Sequence, residues 1–359
     1  MIHNLKAPFP WFGGKSRVAS LVWMRLGNVA HYIEPFFGSG AVLLNRPHTP
    51  SFETVNDADG YVVNFWRALQ QEPSVVVEWA DYPTFESDLH ARHAWLCARK
   101  TELTAQLEGD PDFYDVKVAG WWVWGISLWI GSCWCDPGSG PWQQVDGKLI
   151  KGISRRLPHL GSPGQGVNRP RPHLGGTGRG VKRQLPYLGG TGQGVKRQSL
   201  VNLIGYFDAL AERLRDTVVC CGDWSRICSP AVLFGRGDPC AVFLDPPYDL
   251  SQRNKDCYST DVAGLSASVR EWAIKWGEDP RCRIALCGYD NEHTMPNNWE
   301  CVKWKTHGGY ANTGDSKTRG KDNRHRERIW FSPHCLQPGL FKELRYENIV
   351  EVSCHREPV

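Results

Sequence analysis

The apolar run Ala241-Val242-Phe243-Leu244 is followed at once by Asp245-Pro246-Pro247-Tyr248. Four apolar residues closed off by prolines predict a short buried strand. Neither proline can donate to a sheet ladder, so the strand has to stop there. Such a stop leaves a carboxylate, two carbonyls with no competing N–H and an aromatic ring at the strand's carboxyl end. In open α/β sheets that edge is where ligands bind. These groups suit one task well, gripping a planar base by its exocyclic amino group. The Asp245 carboxylate would accept one N–H and the Pro246 carbonyl the other, freeing a nitrogen lone pair that is normally delocalised into the ring. Tyr248 would stack on the base. Taken alone, the four residues also fit a plain strand-ending turn.

Earlier in the chain, two glycine turns bear on the same reading. Pro8-Phe9-Pro10-Trp11-Phe12-Gly13-Gly14-Lys15 combines paired glycines, which let backbone approach a ligand closely, with a point charge at Lys15 and a flat face at Trp11. His31-Tyr32-Ile33-Glu34 predicts a strand, followed by Pro35-Phe36-Phe37-Gly38-Ser39-Gly40 and a helical run, Ala41-Val42-Leu43-Leu44. Strand, glycine turn and helix open a nucleotide-binding βαβ unit, but the third glycine of the dinucleotide fingerprint is missing, which disfavours NAD. Phe52-Glu53-Thr54-Val55-Asn56-Asp57 predicts the second strand, with Asp57 17 positions after Gly40. An acid there holds ribose hydroxyls or, alternatively, caps a helix over Tyr61 to Leu69.

Taken in order, Pro-Phe-Pro-Trp-Phe-Gly-Gly-Lys, Glu-Pro-Phe-Phe-Gly-Ser-Gly, Asn-Asp and Asp-Pro-Pro-Tyr resemble the motifs of the Dam-type DNA adenine-N6 methyltransferases. The resemblance covers the first roughly 70 residues and about 200 to 332. It implies an α/β fold, a Rossmann-like seven-stranded methyltransferase sheet with helices on both faces and an inserted helical and loop-rich DNA-recognition region. It implies S-adenosylmethionine as donor and double-stranded DNA as partner. Trp11, Lys15, Glu34, Phe36, Gly38, Gly40 and Asp57 match positions lining the donor site in that family. Val218-Val219-Cys220-Cys221 predicts a strand ending at Gly222-Asp223-Trp224. In the family, that position contacts the donor's adenine, through Asp223 to the amino group and Trp224 on the ring; a helix cap is the plainer role of Asp223. Asp245 borders both donor and target, with Pro246, Pro247 and Tyr248 completing the catalytic motif.

The implied domains are residues 1–70 with 199–335 for catalysis, 71–198 for target recognition, and a tail at 336–359. Glu72 to Glu108 is helical in pattern, with turns at Glu72-Pro73 and Tyr82-Pro83. Trp121 to Trp134 is apolar all round, which predicts a buried helix, or else tryptophans that stack on a base. Three tandem repeats follow, Leu157 to Pro170, Arg171 to Gln184 and Leu185 to Gln198, too rich in glycine for a helix and too poor in apolar residues for a core. The chain's net charge is only +4, yet Gly147 to Gln198 contains no Asp or Glu among its many Lys and Arg. Such a segment seeks a polyanion. Arg169, Arg171, Lys182, Arg183, Lys196 and Arg197 are the candidate phosphate contacts there, with Arg253 and Lys255 in a polar loop after the catalytic motif. A disordered, duplicated linker is the alternative.

Ser266 to Trp276 predicts a helix, Arg283 to Cys287 a strand, and Trp299 to Lys305 with Arg328 to Ser332 a closing hairpin. Their connection, Thr306 to Glu327, is polar and basic. Thirteen cysteines contain no C-x-x-C pair, so reduced thiols in a cytoplasm are expected and a metal site is not. Neither a signal peptide nor a membrane span is expected. Two rival functions remain at this level. One is the same chemistry on another exocyclic amino group, cytosine N4 or an RNA base; cytosine-directed relatives more often carry Ser in place of Asp245. The other is a non-catalytic DNA-binding protein retaining the fold.

Overall fold

The computed structural model describes residues 5–11, 13–49, 51–83, 85–129, 134–135, 142–145, 148–151, 197–248, 264–304 and 325–337. Its strands are β1 (His31–Glu34), β2 (Phe52–Asp57), β3 (Trp142–Val145), β4 (Lys148–Lys151), β5 (Thr217–Cys221), β6 (Cys240–Leu244), β7 (Cys282–Tyr289), β8 (Glu300–Lys303) and β9 (Glu327–Phe331). Seven of them form one mixed sheet in the order β5-β2-β1-β6-β7-β9-β8. The run from β5 to β7 is parallel, and β9 lies antiparallel between β7 and β8. The pair β3–β4 makes a separate antiparallel ribbon, which the sequence analysis does not anticipate.

Parallel strands are covered on both faces and therefore read as continuous apolar runs. In β6 all five residues are buried. Ala241 and Phe243 join Tyr32, Ala285 and Cys287 in the core of one face, while Val242 and Leu244 join Ile33, Ile284 and Leu286 in the other. The first face is covered by helices that include α1 (Ala19–Leu26), α3 (Gly60–Gln71) and, later in the chain, α8 (Arg197–Leu214). The second is covered by α9 (Pro230–Phe234) and α10 (Leu265–Gly277). Between β1 and β2 runs the short α2 (Ala41–Leu44).

Residues 73–128 fold as α4 (Pro73–Ala80), α5 (Glu86–Cys97), α6 (Lys100–Gly109) and α7 (Val116–Leu128), interrupted where Pro73 and the Tyr82-Pro83 turn predict. The tryptophan run proves to be part of a buried helix, but α7 stops at Leu128 and Trp129 turns extended. Asp115 caps α7 by accepting from Val118 N–H at 2.9 Å. The Asn64 side chain on α3 exchanges two hydrogen bonds with the Asp115 backbone, at 2.7 and 2.8 Å. Gly120 lets α4 lie against α7, since a Cβ there would meet Trp79 Cβ at 2.3 Å. Trp122, buried in the same core, touches Tyr61 and Phe65 of α3 and Phe9 of the N-terminal segment. The helices of 73–128 thus share a hydrophobic core with the sheet rather than building one of their own.

Glu327 is not the end of a loop, as the sequence pattern suggests; it is the first residue of β9 and 6% exposed. The repeats other than the start of α8, the loop carrying Arg253 and Lys255, most of the 305–327 connection and the tail lie outside the described residues. Among the described residues, no helix is long and apolar enough to cross a membrane.

Candidate active site

The strand order reverses between β1 and β6, and the segments leaving those two strands carry the glycine turn and Asp245-Pro246-Pro247-Tyr248. Such a reversal opens a crevice beyond the strands' carboxyl ends. Glu34, Asp57, Cys221, Asp245 and Tyr289 all lie where parallel strands end at this one edge. A carboxylate at the far end of β2, Glu53, is by contrast fully engaged by Arg46, Arg213 and Thr217.

The turn after β1 is built on two left-handed glycines, Gly38 at φ 49° and Gly40 at φ 66°. A Cβ on Gly38 would sit 2.4 Å from Trp11 Nε1, so only glycine lets the N-terminal segment close over the turn. Trp66 Nε1 donates to the Gly38 carbonyl at 2.9 Å, and the Gly38 N–H donates to Asp57 Oδ2 at 2.8 Å. Asp57 also accepts from the Asp59 N–H at 2.9 Å. The cap of α3 is Asp59, which accepts from Tyr61 N–H, so Asp57 does not cap that helix. Burial pushes the Asp57 carboxyl up to about 7, against the pull of its backbone donors.

Glu34 is 2% exposed and accepts the Tyr32 hydroxyl at 2.9 Å. Burial holds its carboxyl well above the usual range. Its bonding is to its own strand and to the backbone at Leu43. Phe36 stacks on Trp224 with ring centroids 6.2 Å apart. Asp223 is exposed and caps a short 3-10 turn, accepting from Ser225 N–H at 2.9 Å. The plainer role considered for Asp223 is therefore present.

The N-terminal glycine segment delivers Lys15, only 3% exposed, to the 245–248 motif. Lys15 Nζ donates to Asp245 Oδ2 and to the Gly13 carbonyl, each at 2.8 Å. Burial alone would favour the neutral amine, but Asp245 and Glu327 outweigh it and hold the ammonium above its ordinary range. The Tyr248 hydroxyl donates to Glu327 Oε2 at 2.8 Å and lies 3.3 Å from Asp245 Oδ1. Lys15 Nζ sits 5.4 Å from the centre of the Tyr248 ring, and Tyr289 meets that ring edge-on at 4.6 Å. Burial first, then Glu327 and Asp245, keep the Tyr248 phenol protonated far above its ordinary range.

One edge thus collects Trp11, Lys15, Gly38, Gly40, Asp57 and the 245–248 motif. Phe36, Asp223 and Trp224 group beside the β1 turn and the end of β5. Arg169, Arg171, Lys182, Arg183, Lys196, Arg253 and Lys255 lie outside the described residues, and of Arg197 only the backbone, opening α8, is described. Sequence reasoning places Gly288-Tyr289-Asp290 at the end of a strand on this edge, where Tyr289 meets Tyr248, but misses Glu327. The available signal was the alternation in β9, where Glu327 falls in the inward row of Ile329 and Phe331. Among the described residues, no group of three or more His, Cys, Asp or Glu is placed to hold a metal ion.

Comparison with known proteins matches residues 11–106 to the D12 class N6 adenine-specific DNA methyltransferase family. That span holds Trp11, Lys15, the β1 turn and Asp57 and ends well before Asp245. A DNA N-6-adenine-methyltransferase of Escherichia phage P1 is 34% identical over 92 residues, which are 24% of this chain and 12% of the phage protein. The chain therefore spans a small part of that relative's length. By these two matches, the N-terminal part of the chain, residues 11–106, is similar to the D12 class of N6 adenine-specific DNA methyltransferases.

Proposed function

We propose that this chain transfers a methyl group from S-adenosylmethionine to N6 of adenine in double-stranded DNA. The observation that carries the reading is the Lys15–Asp245 bond at 2.8 Å, beside the glycine turn. A positively charged N–H donor already occupies Asp245 Oδ2, which supports Asp245 as the acceptor for an amino group. The seven-stranded sheet, reversing order at this edge, supports a Rossmann-like methyltransferase fold. Residues 1–70 and 199–335 form the catalytic unit in this reading, and 71–198 serve target recognition.

The residues present fit the donor. Asp57 retains acceptor capacity for a ribose hydroxyl, because an ionised carboxylate has about four acceptor positions and takes backbone donors from Gly38, Ala58 and Asp59. The Phe36–Trp224 pair offers aromatic faces for the adenine ring, with Asp223 beside it. Trp11, Lys15, Glu34, Gly38 and Gly40 shape the intervening turn. When bound, S-adenosylmethionine supplies a methyl group on a positively charged sulfur that departs as a neutral thioether.

A target amino group buried in duplex must be flipped out to reach this edge. Asp245 and the Pro246 carbonyl then accept its two N–H bonds, which localises the lone pair on nitrogen. Pro247 stiffens the turn, and Tyr248 offers its ring to the base. Catalysis is mainly positioning, aided by a carboxylate facing the positive charge that develops on nitrogen. The excess proton leaves by way of Asp245 to solvent.

The test uses labelled donor and plasmid DNA, followed by mapping of methylated bases. Wild type should modify adenine at N6. Asp245→Ala should lose at least about a hundredfold in turnover while donor affinity stays within a few-fold. Wild-type turnover in that variant would end the assignment. DNA binding without any methyl incorporation by the wild type would favour a non-catalytic protein of the same fold.

A further inference from the structure

We propose that Glu327 is a positioning residue for methyl transfer, holding the Tyr248 hydroxyl so that the ring and acid of the 245–248 motif keep their working orientation. The inference rests on the function proposed above. It starts from a conflict in β9. Residues 327, 329 and 331 share one face of the strand, and Ile329 and Phe331 are fully buried in the core there. The pattern asks for an apolar side chain at 327; the chain places a carboxylate, 6% exposed. Burying a charge without partners is costly. Glu327 is kept by two partners, both from the candidate active site: the Tyr248 hydroxyl at 2.8 Å and the charge of Lys15.

The geometry makes the link specific. Tyr248 lies at the end of a motif whose prolines remove backbone donors, so its side chain is fixed mainly by what its hydroxyl and ring meet. The hydroxyl meets Glu327 at 2.8 Å and Asp245 at 3.3 Å; the ring meets Tyr289, the register partner of Glu327 in β7. Lys15, Asp245, Tyr248 and Glu327 form one connected group with two carboxylates and one ammonium. If Glu327 were neutral, Tyr248 would have a weaker acceptor there and a stronger reason to turn to Asp245, the very acid the target amine needs.

The groups facing Glu327 come from each surrounding element. Lys15 belongs to the N-terminal segment, Asp245 and Tyr248 to the segment after β6, Tyr289 to β7 and Glu292 to the turn beyond it. Burial raises the Glu327 carboxyl to about 6, with Asp245 and Glu292 adding to the rise and Lys15 and the Tyr248 O–H opposing it. Above that value Glu327 is ionised and holds the hydroxyl; below it the acid is protonated and the hold weakens. Turnover should fall on the acid side.

The experiment measures turnover at saturating donor and DNA from pH 5 to 8.5 for wild type, Glu327→Gln, Tyr248→Phe and the double variant. Saturating donor removes any contribution from Asp57. Wild type should lose rate with a midpoint near 6. Glu327→Gln should be roughly tenfold slower at pH 8, lack that acid limb, and keep its KM for donor and DNA within about twofold. In the Tyr248→Phe background, Glu327→Gln should add no further loss. A retained acid limb, or losses that multiply in the double variant, would overturn the inference. A second readout does not need activity: carbon-13 NMR of glutamate carboxyls, with the Glu327 signal assigned by Glu327→Gln. That signal should titrate near 6 and move on Tyr248→Phe; indifference to Tyr248→Phe would overturn the link. Wild type that transfers no methyl group would sink the proposed function instead, and the NMR titration would still decide the coupling.

Discussion

Asp57 stands at the end of β2 with a carboxyl raised to about 7 by burial, while Gly38 and Asp59 donate backbone N–H groups to it. A ribose hydroxyl donates more strongly to a carboxylate than to a carboxylic acid. Donor affinity should therefore fall as pH drops through about 7, because the protonated form accepts poorly. Isothermal titration with S-adenosylmethionine at pH 5.5 and 8.5 should show roughly tenfold weaker binding at the lower pH. Asp57→Asn should bind weakly at both. A wild type equally tight at both values would remove Asp57 from the donor site. At this scale the residues were legible where a motif fixes both type and place: Trp11, Lys15, Gly38, Gly40 and Asp245 converge as their order in the chain implies. Glu327 was not legible, because its neighbours come from segments some 80 and 310 residues away in sequence, and spacing carries no signal across such gaps. Two aspartates near the start of α3 illustrate the same point. The sequence offers Asp57 as the cap, and only the backbone path gives that role to Asp59 and leaves Asp57 to the β1 turn.

Among the elements, α7 connects the apolar middle of the chain to the site. Trp122 meets Phe9 at 4.9 Å and Phe65 at 6.0 Å between ring centroids, and Phe9 precedes the segment that carries Trp11 and Lys15. The tryptophan-rich helix thus acts as a seat for the N-terminal segment. Truncating Trp122 to Ala should cost about 3–5 kcal/mol in urea unfolding, the usual range for a buried aromatic. It should also loosen Lys15, so that turnover falls by more than the unfolded fraction explains. A stability change under about 1 kcal/mol would show that α7 is not seated in this core. The parallel strands of the sheet were legible as short segments bounded by turn signals, apolar throughout only in β6. The placement of β9 between β7 and β8 was not, because a hairpin pattern fixes which strands pair but not which of them reaches the neighbouring strand. The β3–β4 ribbon was missed for another reason: its residues, Trp142–Val145 and Lys148–Lys151, alternate too weakly in polarity to stand out from the basic stretch around them.

For the molecule as a whole, the edge described above is assembled from both ends of the chain, and residues 71–198 lie between the two contributions. Part of that middle, α4 to α7, packs into the common core. The remainder includes the repeats, where residues 171–196 carry Arg171, Arg179, Lys182, Arg183 and Lys196 and no acid. In the proposed function these five charges act on DNA phosphates. Each phosphate neutralised by a protein cation releases condensed counterions, so the logarithm of affinity falls with the logarithm of salt by about 0.9 per contact. Deleting residues 171–196 spares α8, which begins at Arg197. It should weaken binding to plasmid fragments of any sequence and lower the salt slope by up to about 4. Turnover at saturating DNA should remain close to wild type, because Lys15, the β1 turn and the 245–248 motif all lie outside the deletion. The measurement is fluorescence anisotropy between 50 and 300 mM salt. An unchanged slope would mean that the repeats do not engage phosphates, and target binding would then rest on the charges of the catalytic unit itself.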